Sequence, residues 1–279
     1  MDGIGIRFGT AVIFVVVMLA GIYGGLIPYL ILFTGLLLLC LWEYFGLLLG
    51  PDHSSFPLRS WMGLTLGVLP HLVVAFERAG WIHFPESWVL LTYCIGLFSL
   101  FVVELFSNSL QPFRNLAFIF SGLFYIALPI TLINLIAIVD GEYQYRFILG
   151  IVLLTWTNDT AAYLTGSRFG RHHLFPRISP KKTWEGSSGG AIVTLLAGWG
   201  LYGFFPSFPL IGWIGLSLIV VIFGSIGDLV ESMLKRSINV KDSGTFLPGH
   251  GGMLDRFDSF LFCIPFAVAL ILSLKVSLM

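Results

Sequence analysis

Two long stretches without any charged residue dominate the hydrophobic pattern of this chain. No Asp, Glu, Lys or Arg occurs from Phe8 to Trp42, and none occurs from Ala191 to Gly227. Because about 20 apolar residues suffice for one helix to cross a bilayer, each stretch predicts more than one crossing, or a crossing plus a re-entrant turn.

The whole hydropathy pattern predicts an all-α polytopic membrane fold with about nine transmembrane helices. The predicted spans cover residues 8–23, 26–49, 60–78, 87–106, 113–139, 146–166, 188–205, 208–236 and 254–277. The Gly-rich stretch Gly21–Pro28 separates the first two spans, and Pro129 predicts a kink in the fifth because proline lacks the N–H that the helix needs. Although Arg7 and the apolar residues after it resemble a signal peptide, a second apolar run follows at once, so we expect the first helix to be retained.

The composition supports a membrane protein and argues against most other classes. Of 279 residues, 57% are hydrophobic and 11% are charged, and the mean hydropathy is +0.92; soluble domains carry about 25% charged residues. These values exclude a disordered tail, a disulfide-rich secreted domain and a nucleic-acid binder with a basic face, and they argue against a soluble enzyme. Cys40, Cys94 and Cys263 lie singly in apolar segments, which argues against a zinc or iron–sulfur site.

The 15 basic residues are distributed unequally between the two sides that nine crossings define. One side has the amino terminus and the loops after even-numbered spans, with Arg7, Arg59, Arg114, Arg168, Arg171, Arg177, Lys181, Lys182, Lys235, Arg236, Lys241 and Arg256. The other side has only Arg78, Arg146 and Lys275. The positive-inside rule therefore predicts that the first side faces the cytoplasm.

A first polar cluster lies in and after the sixth span. Asn158 and Asp159 interrupt apolar sequence, which is costly unless they face protein, water or a ligand. Ser179 starts a new segment, and Lys181–Thr183 then lie near its amino end, where N–H groups, a helix dipole and ammonium groups favour phosphate. The alternative is an ordinary basic cytoplasmic loop that touches anionic lipid.

A second polar cluster follows the eighth span. Asp228, Ser232 and Lys235 share one helical face at i, i+4 and i+7, and Asp255, Asp258 and Ser259 share a face of the next helix. A glycine-rich loop, Pro248–Gly252, joins the two and lets the backbone approach a ligand closely. Oxygen donors without cysteine or clustered histidine favour a hard cation such as Mg²⁺, and carboxylates beside Lys, Arg and Gly predict phosphoryl or nucleotidyl transfer.

Each feature of the second cluster also has a simpler explanation. Glu231 and Lys235 have the spacing of an ordinary ion pair, Asp255 suits a helix start, and His250 suits a loop hydrogen bond better than a metal. In the first half, Glu43, Glu77 and Glu104 lie near span ends, and intramembrane acids are functional candidates by default. No phosphate-binding GxxxxGK[ST] loop is present.

The second cluster resembles the signature of the phosphatidate cytidylyltransferases, the CDP-diacylglycerol synthases. The matching positions are Ser232-x-x-Lys235-Arg236-x4-Lys241-Asp242-x-Gly244-x3-Pro248-Gly249-His250-Gly251-Gly252-x2-Asp255-Arg256-x-Asp258. Asp159-x2-Ala162-Tyr163 and Ser179-Pro180-x-Lys182-Thr183-x-Glu185-Gly186 resemble a second stretch of that family. The run Arg171–His173 departs from the pattern and has no assigned role.

The resemblance implies that CTP and phosphatidate react to CDP-diacylglycerol and pyrophosphate, with Mg²⁺ or another divalent cation as cofactor. It also implies a homodimer in a membrane, by our interpretation the bacterial inner membrane, with the active site facing the cytoplasm and no nucleic acid as partner. On this basis residues 1–140 are a transmembrane scaffold and a candidate for dimer contacts. Residues 141–279 are the catalytic region with cytoplasmic loops.

Our hypothesis for the site assigns Asp228 and Asp255 to the metal, with Asp258 and Asp159 as further ligand or supporting candidates. The other expected substrate contacts are charged groups of Lys182, Lys235, Arg236 and Lys241, hydroxyls of Ser179 and Ser232, and Gly249, His250, Gly251 and Gly252 along the triphosphate. We assign no nucleophilic side chain, because an oxygen of phosphatidate attacks CTP directly.

Two other functions remain open at this point. A transporter or channel would use Asp159 and Asp228 to line an ion path, but it would place polar groups in mid-membrane rather than at one mouth. A membrane transferase for a prenyl or dolichyl phosphate would need similar groups.

Overall fold

The computed structural model describes residues 2–50, 57–246 and 251–278, and within these ranges the chain folds into nine helices. They are α1 (Asp2–Tyr23), α2 (Leu26–Leu49), α3 (Pro57–Arg78), α4 (Glu86–Leu105), α5 (Pro112–Ala137), α6 (Tyr145–Phe169), α7 (Trp184–Phe204), α8 (Leu210–Ser237) and α9 (Leu254–Leu278). The described residues also form two short antiparallel hairpins: β1 (Ile138–Val139) with β2 (Glu142–Tyr143), and β3 (His173–Phe175) with β4 (Ser179–Thr183). The predicted all-α class is confirmed.

Seven helices of the described ranges are long and apolar enough to cross a membrane, namely α2, α3, α4, α5, α6, α8 and α9. Helix α4 shows most clearly what surrounds them, because Trp88, Leu90, Ile95 and Phe98 are all at least 60% exposed. Exposing such an apolar surface to water would be unfavourable, whereas contact with lipid chains is not. The chain is therefore an integral membrane protein.

Helices α5 and α8 each contain one π-helical turn, at Leu123–Ala127 and Val220–Gly224. The first turn lies directly before the position of Pro129, whose missing N–H weakens the regular hydrogen-bond ladder. The second ends directly before Ser225, where α8 changes from apolar to polar. Such turns inside α-helices occur often at functional sites.

The helices divide into two compact units. Unit 1 comprises the described residues of Met1–Tyr143 together with Asp242–Asp255, and unit 2 comprises those of Gln144–Lys241 and Arg256–Met279. The first boundary is close to residue 140, where we divided the sequence. The described residues of Asp242–Asp255 pack with the amino-terminal helices, although they are far away from them in sequence.

Polar groups inside unit 1 are paired across helices. Arg59 of α3 and Glu104 of α4 form an ion pair at 3.2 Å between Nη1 and Oε1, with both side chains 2% exposed. The Nδ2 of Asn115 donates to the same Oε1 at 2.9 Å. Glu104, a functional candidate by its position alone, therefore stabilises helix packing.

In unit 2, glycines bring α7 close to α6. A Cβ added at Gly189 would lie 2.5 Å from the side chain of Thr165, and one at Gly186 would lie 2.8 Å from the carbonyl oxygen of Ala162. Small residues at such positions are the usual way in which membrane helices approach closely. With 21 residues, α7 is about 31 Å long, which matches the hydrocarbon thickness, although its glycines lower its mean hydropathy.

Candidate active site

A cavity of about 600 Å³ lies in unit 2, within the size range of small-molecule sites. Its wall comes from α6, β4, the start of α7 and the polar end of α8. The polar residues of the wall include Asn158, Asp159, Ser179, Lys181, Lys182 and Asp228. The structure thus brings together the first polar cluster of the sequence and the beginning of the second.

Lys182 and Asp228 form the central ion pair of this cavity. The Nζ of Lys182 lies 2.6 Å from Oδ2 of Asp228 and donates to the carbonyl oxygen of Ser225 at 3.3 Å. The Oγ of Ser232 donates to Oδ1 of Asp228 at 3.3 Å, as their spacing on one helical face predicts. Because the two charged side chains are 24% and 35% exposed, a ligand in the cavity has access to both charges.

Three carboxylates of unit 2 are close enough to repel one another: Asp159, Asp228 and Asp258. Asp159 lines the cavity, whereas Asp258 is 9% exposed and its Oδ1 accepts the N–H of Ser259 at 2.6 Å. The positive charges that act on them are Lys182, Lys235 and Arg256. Clustered acids of this kind favour a bound cation, which removes their repulsion.

A magnesium ion at these carboxylates would have to take part of its coordination from substrate. In the described parts of the chain, no group of three or more His, Cys, Asp or Glu side chains is placed so that it could hold a metal ion. Mg²⁺ seldom needs such a group, because it is usually held by one or two carboxylates together with phosphate oxygens and water. Asp228, with Asp159 or Asp258, would be such a partial set.

Residues 179–183, which we expected to begin a new segment with Lys181–Thr183 near its amino end, form β4, and α7 begins after them at Trp184. Thr183 is the N-cap, and its Oγ1 accepts the N–H of Gly186 at 3.1 Å. Lys182 therefore lies directly beside the amino end of a helix, where the backbone dipole adds positive potential.

Glu185 explains part of the Arg171–His173 run. Its Oε2 accepts the N–H groups of Arg171 and His172 at 3.0 and 3.2 Å, and its Oε1 lies 2.6 Å from Nδ1 of His172. These hydrogen bonds, with the Arg171 N–H first, lower the pKa of Glu185 from 4.5 to about 2. The run thus connects the end of α6 to β3 and is held against the start of α7 by Glu185.

The two basic residues near the C-terminal end of α8 each have a partner, either on α8 itself or in the residues that follow it. Lys235 pairs with the fully buried Glu231 one turn away, as the simpler explanation of their spacing had it. Nη1 of Arg236 donates to the carbonyl oxygen of Val240 at 3.2 Å, and Lys241 is exposed. Their predicted contacts with phosphate stay predictions.

The segment Asp242–Asp255 is organised around one carboxylate of its own. Oδ2 of Asp255 accepts the N–H groups of Ser243 and Gly252, each at 2.9 Å. Gly251 has φ +85°, and a Cβ there would lie 2.7 Å from that same oxygen, so only glycine suits the position. Gly249 and His250, which we expect to contact the triphosphate, lie outside the described residues.

Glu43 of α2 contacts the described residues of this segment, and sequence reasoning did not find that contact. Its Oε1 and Oε2 accept the N–H groups of Met253 and Leu254, both at 2.9 Å. Its position near a span end marked it as a candidate, but nothing in the sequence links it to residues more than 200 positions away. Asp255 belongs to unit 1 and Asp228 to unit 2, so their predicted sharing of one metal stays a prediction.

The chain is similar to proteins of one enzyme group. The model of the cytidylyltransferase family matches residues 5–274. A phosphatidate cytidylyltransferase of Staphylococcus aureus (strain COL) is 50% identical over 122 residues, 43% of this chain and 46% of that protein. One of Bacillus subtilis (strain 168) is 46% identical over 127 residues, 45% of this chain and 47% of that protein.

In these matches the chain spans slightly less than half of the length of each relative. The family match is much longer and includes both units of the structure. The resemblance seen in the second polar cluster is thereby confirmed, and the chain belongs to the cytidylyltransferase family.

Proposed function

We propose that this protein transfers a cytidylyl group from CTP to phosphatidate, giving CDP-diacylglycerol and pyrophosphate for phospholipid biosynthesis. The observation that carries the proposal is the Lys182–Asp228 pair in a cavity beside the start of α7, with further carboxylates around it. The printed names of the bacterial relatives support the choice of CTP and phosphatidate. The geometry supports phosphate chemistry in general.

The reaction is an in-line displacement at phosphorus. A phosphate oxygen of phosphatidate attacks the α-phosphorus of CTP, a new O–P bond forms, and the bond between the α-phosphorus and the bridging oxygen breaks. Pyrophosphate leaves with that electron pair, so no covalent enzyme intermediate and no side-chain nucleophile are needed. The barrier is mainly electrostatic, because two polyanions must meet while negative charge shifts to the leaving group.

The residues of the cavity reduce this repulsion. Lys182 binds a phosphate group with its ammonium and, next to the N-terminus of α7, stabilises the charge that develops during transfer. Ser179 lines the same cavity and donates a hydrogen bond to phosphate. The Ser232 hydroxyl orients the Asp228 carboxylate through the hydrogen bond between them.

We propose a divalent cation, Mg²⁺ in the first place, as cofactor. Asp228, with Asp159 or Asp258, would hold it, and when bound it supplies positive charge for the triphosphate. The sharing of that ion by Asp255 rests on the resemblance.

We also propose that the protein is a homodimer in the bacterial inner membrane with its active site facing the cytoplasm. The excess of basic residues on the side that carries both polar clusters supports the orientation. The dimer rests on the resemblance, and chemical cross-linking in native membranes tests it. A monomer at all cross-linker concentrations would contradict it.

The decisive experiment is to incubate the purified protein in detergent micelles with α-labelled CTP, phosphatidate and Mg²⁺. We expect labelled CDP-diacylglycerol and one equivalent of pyrophosphate, and we expect neither product with EDTA. ATP, GTP and UTP as donors, and prenyl or dolichyl phosphate as acceptors, test the alternative transferases. If one of these acceptors gives product and phosphatidate does not, that acceptor replaces phosphatidate in the proposal.

The same assay tests the site and the transporter alternative. Asp228→Asn removes the central carboxylate charge of the cavity, and its matched control is Glu142→Gln, which removes an exposed acid of β2. We expect Asp228→Asn to lose at least 100-fold in rate and Glu142→Gln to retain wild-type activity. Ion flux through wild-type proteoliposomes without any CDP-lipid formation would favour a transporter instead.

A further inference from the structure

We propose that Glu43 is a positioning residue for the reaction, which holds the Asp255-bearing end of the segment Asp242–Asp255 in place. The inference rests on the proposed function. It gives the amino-terminal helices, which we expected to be a membrane scaffold and a candidate for dimer contacts, a defined part in the chemistry.

The hydrogen bonds of Glu43 are directed at the point where α9 begins. Its two carboxylate oxygens accept the consecutive N–H groups of Met253 and Leu254, at 2.9 Å each. The first N–H groups of a helix have no partner within the helix. A carboxylate there also interacts favourably with the positive end of the helix dipole. Glu43 thus caps α9 from another helix.

Ser243 links this cap to Asp255. Its Oγ donates to Oε2 of Glu43 at 3.3 Å, and its backbone N–H donates to Oδ2 of Asp255 at 2.9 Å. The backbone N–H of Asp255 in turn donates to the Oγ of Ser243 at 3.3 Å. Glu43 and Asp255 therefore fix the same short piece of backbone from its two sides.

The glycines of the signature have a physical reason in this arrangement. A Cβ added at Gly244 would lie 2.7 Å from Oε1 of Glu43, and one added at Gly252 would lie 2.5 Å from Oε2. Real side chains do not approach so closely, so the two glycines create the space that the Glu43 carboxylate occupies. This close approach indicates that glycine at these two positions is needed to accommodate the Glu43 carboxylate.

Glu43→Gln is the direct test, because it keeps the size of the side chain and removes one of the two acceptors. We expect the KM for CTP and the Mg²⁺ concentration at half-maximal rate each to rise at least fivefold. The KM for phosphatidate should change less than twofold. A split of this kind distinguishes a positioning role from a general loss of folded protein.

Hydrogen exchange without CTP or Mg²⁺ supplies a readout independent of activity. In Glu43→Gln the amides of residues 251–255 should exchange at least tenfold faster than in the wild type. The control is Glu142→Gln, which removes an exposed carboxylate of β2 in unit 1. It should change neither these amides nor the KM for CTP.

Gly244→Ala tests the same contact without changing α2, should Glu43→Gln fold poorly. We expect the double variant Glu43→Gln/Gly244→Ala to lose no more kcat/KM for CTP than the more severe single variant, since both substitutions act on one contact. Unchanged exchange at residues 251–255, or faster exchange with kcat/KM for CTP within twofold of the wild type, overturns the inference. A wild-type protein that makes no CDP-lipid refutes the proposed function first, and the role of Glu43 in that reaction falls with it.

Discussion

Lys182→Met separates the chemical role of the cavity from its role in folding. Methionine keeps an unbranched side chain but removes the ammonium, which lies 2.6 Å from Asp228 and 3.3 Å from the Ser225 carbonyl oxygen. A charge-assisted hydrogen bond to phosphate contributes about 1.5–3 kcal/mol. At about 1.4 kcal/mol per factor of ten, kcat/KM should therefore fall roughly 10- to 150-fold.

The effect of Lys182→Met on stability should be much smaller. The two charges of the pair are 24% and 35% exposed, and solvent-accessible ion pairs contribute only about 0–1 kcal/mol to folding. The thermal midpoint in detergent should thus move by a few degrees at most. A large fall in activity with almost constant stability is the signature of a residue that binds substrate.

The assay is CDP-lipid formation at varied CTP and phosphatidate, with thermal unfolding of the same samples. Arg177→Ala is the matched control, because it removes an exposed charge that lies between β3 and β4 and does not line the cavity. Lys182→Arg keeps the charge on a planar group and should recover part of the activity. If Lys182→Met retains kcat/KM within twofold of the wild type, Lys182 does not bind phosphate and the reasoning is wrong.

Three further predictions concern folding. Glu104→Gln leaves Arg59 buried without its counter-charge and should cost about 3–5 kcal/mol in unfolding experiments; a loss under 1 kcal/mol would contradict this. Gly189→Val should destabilise by about 1–3 kcal/mol through overpacking against Thr165, and an unchanged thermal midpoint would count against it. The Glu185 pKa is lowered, so its stabilisation of the Arg171–His172 backbone is complete above pH 4.5 and is lost towards about pH 2; the protection of the Arg171 amide relative to an unfolded amide at the same pH should fall over that window, and constant protection would refute this.

The helices and the polar clusters were predictable because they depend on local sequence. Apolar runs of membrane length predicted helices close to α2, α3 and α4, and the spacing of Asp228 and Ser232 predicted that their side chains meet. Such features need only a helical period and a bilayer thickness. The expected segment start at Ser179 was wrong by about five residues, because residues 179–183 pair with β3 and the helix begins at Trp184.

The partners of the charged residues were not predictable in the same way. Lys182 with Asp228 and Arg59 with Glu104 are each more than 40 positions apart, and Glu43 contacts residues more than 200 positions away. A single sequence offers no period that connects such positions. The two π-helical turns were also missed, because a π turn adds a residue to the helix without a distinct composition.

By itself, the sequence determined that this is a helical membrane protein with two polar clusters suited to phosphate chemistry, because burial in lipid and helix geometry act on neighbouring residues. The tertiary structure alone decided which charges meet. It placed Lys182 against Asp228 in a cavity, and it assigned Glu43 to the backbone beside Asp255. The reason is physical: a charge in a membrane protein is stabilised by whatever partner the packing of distant helices brings within about 3 Å.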